Sequence, residues 1–143
     1  MPEIFRHDLK VLFQHCDPAG IVFYPRYFEM VNQTVEEWHA SSLGYSFAQM
    51  HNDGEFRGVP TVTISADFPA PSRIGDMLTW SLYLTKLGRT SAHLNVTARH
   101  KDEARVIARP VLVCIDTRTG RPIPWAEDVR ARMAGFVHES PPA

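Results

Sequence analysis

The chain of 143 residues has little of most things that would set it apart. It has only two cysteines, Cys16 and Cys114, without CxxC spacing, so neither a disulfide framework nor a cysteine metal site is expected. The compartment expected from that usage is a reducing one, the cytoplasm. Long apolar runs are missing: Ala19–Tyr24 and Val111–Ile115 fall far short of the ~20 residues that span a bilayer. No charge of one sign accumulates either. Fifteen Lys and Arg stand against 16 Asp and Glu, a net charge of −1, which leaves no surplus of cations for nucleic acid. The first ten residues mix charges too early for a signal peptide. Neither membrane nor nucleic acid is therefore an expected partner. What is present is ordinary: 44% apolar and 22% charged residues, at a length that fits one domain with a sizeable core. That domain is expected over residues 1–138, with 139–143 as a frayed tail.

Residues 4–15 mix β-branched and aromatic with polar side chains and predict a first strand, broken by Asp17-Pro18-Ala19-Gly20. Pro25 suits the first position of a helix. No Gly or Pro follows until Gly44, and Phe28, Val31, Val35 and Trp38 recur at helical spacing, with Tyr27 and Met30 widening the stripe. A helix over 25–43 of that apolarity needs a cover. Downstream, Val62/Ile64/Ala66/Phe68, Leu78/Trp80/Leu82/Leu84 and Ala92/Leu94/Val96/Ala98 alternate with polar residues, the pattern of half-buried strands. A fourth run, 106–116, is apolar on both faces, and Pro110 within it predicts an edge or a bulge. Short connections make the strands an antiparallel meander, and Pro124 with the residues after it opens a last helical turn or two. The class is α+β: one antiparallel sheet with one long helix against it.

The stretch HCDPAGIVFYPRYF, residues 15–28, resembles the active-site signature of hot-dog-fold acyl-CoA thioesterases, especially the 4-hydroxybenzoyl-CoA thioesterase family. The matching positions are Asp17, Gly20, Val22, Tyr24 and Tyr27, and the likeness continues through 58–80, 86–94 and 116–125. The resemblance implies a hot-dog fold, hydrolysis of an aromatic or short-chain acyl-CoA to the acid and CoA, and sites built by paired subunits, as a homodimer or homotetramer. Coenzyme A then enters as part of the substrate, with no separate cofactor and no metal. A hot-dog hydratase or dehydratase, for which His15 and His39 are the available histidines, and a non-catalytic acyl-CoA-binding module are the competing readings.

Asp17 has two readings. Beside Pro18 and near Gly20 it is a natural turn former. As a carboxylate it can attack a thioester carbonyl or activate a water, because a thiol near pKa 8.5 leaves with little acid assistance. The helix start is a second candidate, since neither Phe23 nor Tyr24 offers a capping oxygen, and unsatisfied N–H groups at a positive helix end can hold an oxyanion. The resemblance assigns this role to the backbone N–H of Tyr24, with Gly20 admitting the substrate closely. The third is Lys86-Leu-Gly-Arg89-Thr-Ser91, either a solvated hairpin or a grip for CoA phosphates by Lys86, Arg89 and Ser91. His15-Cys16-Asp17 is not expected to converge on a metal, because neighbours in a strand point to opposite faces.

Overall fold

The computed structural model describes residues 2–142; Met1, and Ala143 at the end of the expected tail, lie outside them. Seven strands and three α-helices follow one another among the described residues: β1 (Phe5–Lys10), α1 (Pro25–Ser41), α2 (Phe47–Asn52), β2 (Arg57–Gly58), β3 (Thr61–Asp67), β4 (Met77–Leu87), β5 (Ser91–His100), β6 (Glu103–Val113), β7 (Ile115–Asp116) and α3 (Glu127–Ala134). Five of them form one antiparallel sheet in the order β1-β4-β5-β6-β3, and β2 pairs separately with β7. The α+β architecture is the expected one, with α1 laid across the sheet. Tyr27, Met30, Val31, Val35 and Trp38 of α1 are buried with Leu78, Trp80, Leu82 and Leu84 of β4 and Ala92, Leu94, Val96 and Ala98 of β5. Period 3.6 on the helix thus meets period 2 on the strands, which is why both patterns are visible in the sequence.

Five expectations need correction. The first strand stops at Lys10, and Phe13–His15 form a 3-10 turn instead, capped where the Leu12 N–H donates to His15 Nδ1 at 2.8 Å. The meander holds only for β4, β5 and β6: β3 crosses over to pair with β6, on the far side of the sheet from β4. Consequently β3 is not half-buried. It is an edge strand exposed on both faces apart from Ala66, with Val62 57% exposed. Pro110 lies in β6, an interior strand, opposite Ile64; the irregularity sits in β3, where Thr61 faces Leu112 but Thr63 faces Val111, leaving Val62 as a bulge. The long helix ends at Ser41, two residues before the predicted Leu43, and Gly44 follows in the left-handed region at φ +67°.

Candidate active site

The break after His15 folds as a small hairpin. Cys16 bridges Val22, the Asp17 N–H donates to the Ile21 carbonyl at 2.9 Å, and the Gly20 N–H donates to the Asp17 carbonyl at 2.9 Å. Gly20 sits at φ +79°, and a Cβ built there would meet no protein atom. Within the chain, then, it is the left-handed backbone that asks for glycine. Asp17 Oδ1 accepts the Ala19 N–H at 2.9 Å, the turn-forming bond foreseen for an Asp beside Pro18. Among the described residues Oδ2 has no protein partner, so the turn consumes one carboxylate oxygen and leaves the other.

The same hairpin runs directly into α1. Tyr24 is the N-cap residue, makes no side-chain cap and precedes Pro25 at N1. The first-turn donors are satisfied within the chain: Arg26 N–H bonds to the Phe23 carbonyl at 2.9 Å, Tyr27 N–H to the Tyr24 carbonyl at 3.0 Å. Upstream, Val22 N–H reaches Ser72 and Phe23 N–H reaches His15. Among the described residues the Tyr24 N–H alone in this stretch from Val22 to Tyr27 donates to no protein acceptor. It lies at the positive end of a 17-residue helix.

Apolar side chains surround these two groups. Asp17 lines a cavity of about 450 Å³ with Phe13, Cys16, Pro18, Gly20 and Ile74. Phe13 is 82% exposed, and Phe23, Tyr24, Ile74 and Met77 are also open to solvent. Phe68, at the end of β3, stacks on Tyr27 with centroids 5.3 Å apart and meets Tyr24 and Phe28 edgewise or tilted. Such a collection of exposed aromatics marks a surface made to be covered.

The other nucleophile and base candidates are already engaged. Burial, and then the charge of Asp17, push the Cys16 thiol pKa up, away from the thiolate that would attack. His15 accepts a backbone N–H through Nδ1, and burial lowers its pKa, with Glu29 opposing and Arg26 assisting. His39 is fully buried, with Nδ1 on the Val35 carbonyl at 3.1 Å, and so cannot line a cleft as a hydratase base would require.

Lys86, Arg89 and Ser91 do lie together, at the β4–β5 turn. Gly88 N–H closes that turn on the Ser91 carbonyl, and Trp125 ties it down through bonds to the carbonyls of Arg89 and Ser91. A Cβ on Gly88 would come within 2.8 Å of Ser91 Oγ, so a larger residue there would make that hydroxyl turn away. This cluster sits at the opposite end of the sheet from Asp17. The Asp17 hairpin adjoins the start of β4, where Val11 bonds to Asp76, whereas Lys86 is the next-to-last residue of β4 and Arg89 lies just beyond it. At ~3.3 Å per residue, eleven residues of β4 separate the two by roughly 33 Å.

A family model described as the thioesterase-like superfamily matches residues 11–133. The chain belongs to that superfamily. A 1,4-dihydroxy-2-naphthoyl-CoA hydrolase of Synechocystis is 27% identical over 124 residues, 84% of this chain and 88% of that protein. Among solved structures, a 1,4-dihydroxy-2-naphthoyl-CoA thioesterase from Synechocystis superposes with a TM-score of 0.83 at 22% identity, covering 92% of this chain and 96% of that one. A Staphylococcus aureus protein solved in complex with CoA gives 0.88 at 18% identity, covering 100% of this chain and 89% of that one. The hot-dog fold of this superfamily member is therefore the one its sequence resembles. No helix among the described residues is long and apolar enough to cross a membrane.

Sequence reading missed the polar network behind the hairpin, formed by Arg105, Asp76 and Ser72. An alternating reading of 103–108 places Arg105 on the outer face, and only a bulge, which leaves no mark in composition, turns it inward.

Proposed function

We propose that this protein hydrolyses an aromatic acyl-CoA to the free acid and CoA, working as a homodimer in which each site is shared by two copies. The observation that carries the reading is the pairing, on one hairpin-to-helix junction, of a partnerless carboxylate oxygen of Asp17 with the unengaged N–H of Tyr24. The N–H would hold the thioester oxygen as negative charge develops on it. Asp17 would either attack the carbonyl carbon, giving a mixed anhydride that water then opens, or take a proton from the water that attacks. In both routes a C–O bond forms, the C–S bond breaks and the thiolate of CoA leaves and is protonated. The exposed aromatics around the cavity support a flat acyl group, in keeping with relatives named for naphthoyl- and gentisyl-CoA substrates.

The dimer follows from the separation of the two candidate subsites. Of the two sheet edges, β1 presents Arg6, Asp8 and Lys10 to solvent, the charges that discourage edge pairing, whereas β3 presents Val62 and Ile64. A twofold, antiparallel pairing of β3 with its copy sets the Thr61 end of one beside the Asp67 end of the other. The β4–β5 turn of each copy then reaches the end of the sheet that holds the other's Asp17. The two groups then share one end of the continuous sheet, whereas within one chain they lie at opposite ends. Lys86, Arg89 and Ser91 of one copy would thus hold the phosphates of a CoA whose thioester lies at Asp17 of the other.

The test is release of free thiol from a panel of acyl-CoAs, with wild type beside Asp17→Asn. Asparagine forms turns as well as aspartate does but offers no anion, so turnover should fall by about a hundredfold or more while the ester still binds. No thiol release from any aromatic acyl-CoA, or near-normal turnover by Asp17→Asn, overturns the reading.

A further inference from the structure

Arg105 is the one arginine among the described residues to be buried, at 7% exposure. It owes that position to an irregularity in β6. Ala98 of β5 faces Val106, but Arg99 faces Ala104, so Arg105 is an extra residue in the ladder. The bulge turns its side chain inward next to Val106, although neighbours in a regular strand would point to opposite faces.

Inside, the guanidinium is fully occupied in one direction. Nη1 donates to Ser72 Oγ at 3.1 Å and to Asp76 Oδ2 at 2.9 Å, and Nε donates to Glu103 Oε1 at 2.7 Å. Ser72 and Asp76 delimit the segment that carries the Asp17 hairpin. The Ser72 carbonyl accepts the Val22 N–H at 2.9 Å, and Ile21 pairs with Arg73. The Asp76 carbonyl accepts the Val11 N–H at 2.8 Å, and Gly75 N–H returns a bond of 2.8 Å to Val11. Segment 72–76 is therefore bonded to both ends of the loop that holds Asp17. The same Ser72–Val22 bond lies two residues before Tyr24, the N-cap of α1. One buried side chain thus anchors the support of both reacting groups. The Arg105 side is buried and the Asp76 side half-buried, so removing Arg105 would leave the Asp76 carboxylate without its cation beside the hairpin.

We propose that Arg105 is a positioning residue: through Ser72 and Asp76 it fixes the Asp17 carboxylate relative to the Tyr24 N–H. The proposal rests on the reading of Asp17 above. Since displacement of a reacting group by about 1 Å can cost on the order of a hundredfold in rate, Arg105→Met should lower kcat by about ten- to a hundredfold. KM for acyl-CoA should change by less than about threefold, because the phosphate contacts lie elsewhere. Arg105→Lys, which keeps the charge and loses the fork, should recover part of the rate.

The experiment is a double-mutant cycle in kcat between Arg105→Met and Asp17→Asn, on variants whose melting lies well above the assay temperature. If Arg105 acts by placing Asp17, its replacement costs little once Asp17 is already asparagine. A full, multiplicative loss in that background, or unchanged kcat in folded Arg105→Met, overturns the proposal. Asp17→Asn alone reports separately on the catalytic reading, so the two failures are distinct. Should Arg105→Met not fold, Ser72→Ala serves in the same cycle, because it removes one hydroxyl and leaves both ion pairs; wild-type kcat there equally overturns the proposal.

Discussion

Acidification should weaken this fold chiefly through one side chain, His39. The ring is fully buried on the inner face of α1, 4.8 Å from Phe47 and 5.3 Å from Trp38, and burial drives its pKa from 6.5 to about 4. Nδ1 donates to the Val35 carbonyl, which opposes the shift weakly, and Nε2 has no partner, so nothing inside would receive a second proton. The sign follows directly. Above pH 6.5 the ring is neutral whether the chain is folded or not, and the stability is intact. Between 6.5 and about 4 the unfolded chain takes up a proton that the native protein refuses, and stability is lost as pH falls. Two and a half units at about 1.4 kcal/mol each give about 3 kcal/mol in total. About 2 kcal/mol of that should be spent between pH 6.5 and 4.5, a large share of an ordinary domain's stability of about 5–15 kcal/mol.

Urea unfolding at fixed protein concentration, measured across this range for wild type and His39→Phe, checks it. Fixed concentration matters because dissociation of a dimer would otherwise mimic the effect. His7 and His15 are also shifted down by burial and add slope of the same sign, but they are common to both proteins and cancel in the difference. His39→Phe should lose the steep part of the profile while keeping the core filled. Parallel profiles for the two proteins, or a His39 ring titrating near 6.5 in the native state, would refute the argument.

Two further outcomes are expected. Arg89→Ala should raise KM for acyl-CoA about five- to tenfold at low ionic strength, with kcat little changed, as for one exposed charge-assisted contact with phosphate. The difference should shrink in high salt, and an unchanged KM would return residues 86–91 to a plain hairpin. Val62→Lys combined with Ile64→Lys should convert a dimer into single chains in sedimentation, because lysine on an edge strand opposes pairing. It should remove most activity as well; a fully active single chain would dismiss the shared site.

Much of this arrangement is written locally in the chain. Helix α1 is legible because Pro25, an uninterrupted apolar period and Gly44 all agree. Strands β4 and β5 are legible because one of their faces is buried by that helix and the alternation records it. The candidate pair Asp17 and Tyr24 is legible because a Gly-containing break and an uncapped helix start adjoin in sequence. Helix α2 was missed although Ser46 and Gln49 form a reciprocal capping box, because six residues hold too few turns to show a period. The misreading of β3 has a different cause. Its alternation is real, but periodicity reports which residues would suit a cover and not whether this chain supplies one. The inward turn of Arg105 was invisible because a bulge is decided by the pairing of two strands, not by either sequence alone.

The exposed alternation of β3 and the distance between the two candidate subsites have one physical origin. A single five-stranded sheet curved around a helix buries the helix but must end in edges, and its long strands carry the turns at either end far apart. A substrate as extended as an acyl-CoA, with a thioester at one tip and phosphates towards the other, needs contacts at two separated places. Within one copy those places lie at opposite ends of β4. Pairing β3 with its copy removes the open edge, covers Val62 and Ile64, and brings complementary ends of two chains to one side. The same interface that would complete the fold would thereby complete the site. Apolar residues that look like a defect in an isolated chain, Phe23, Tyr24 and Phe68 beside the helix start, lie where that join and the acyl group would both cover them.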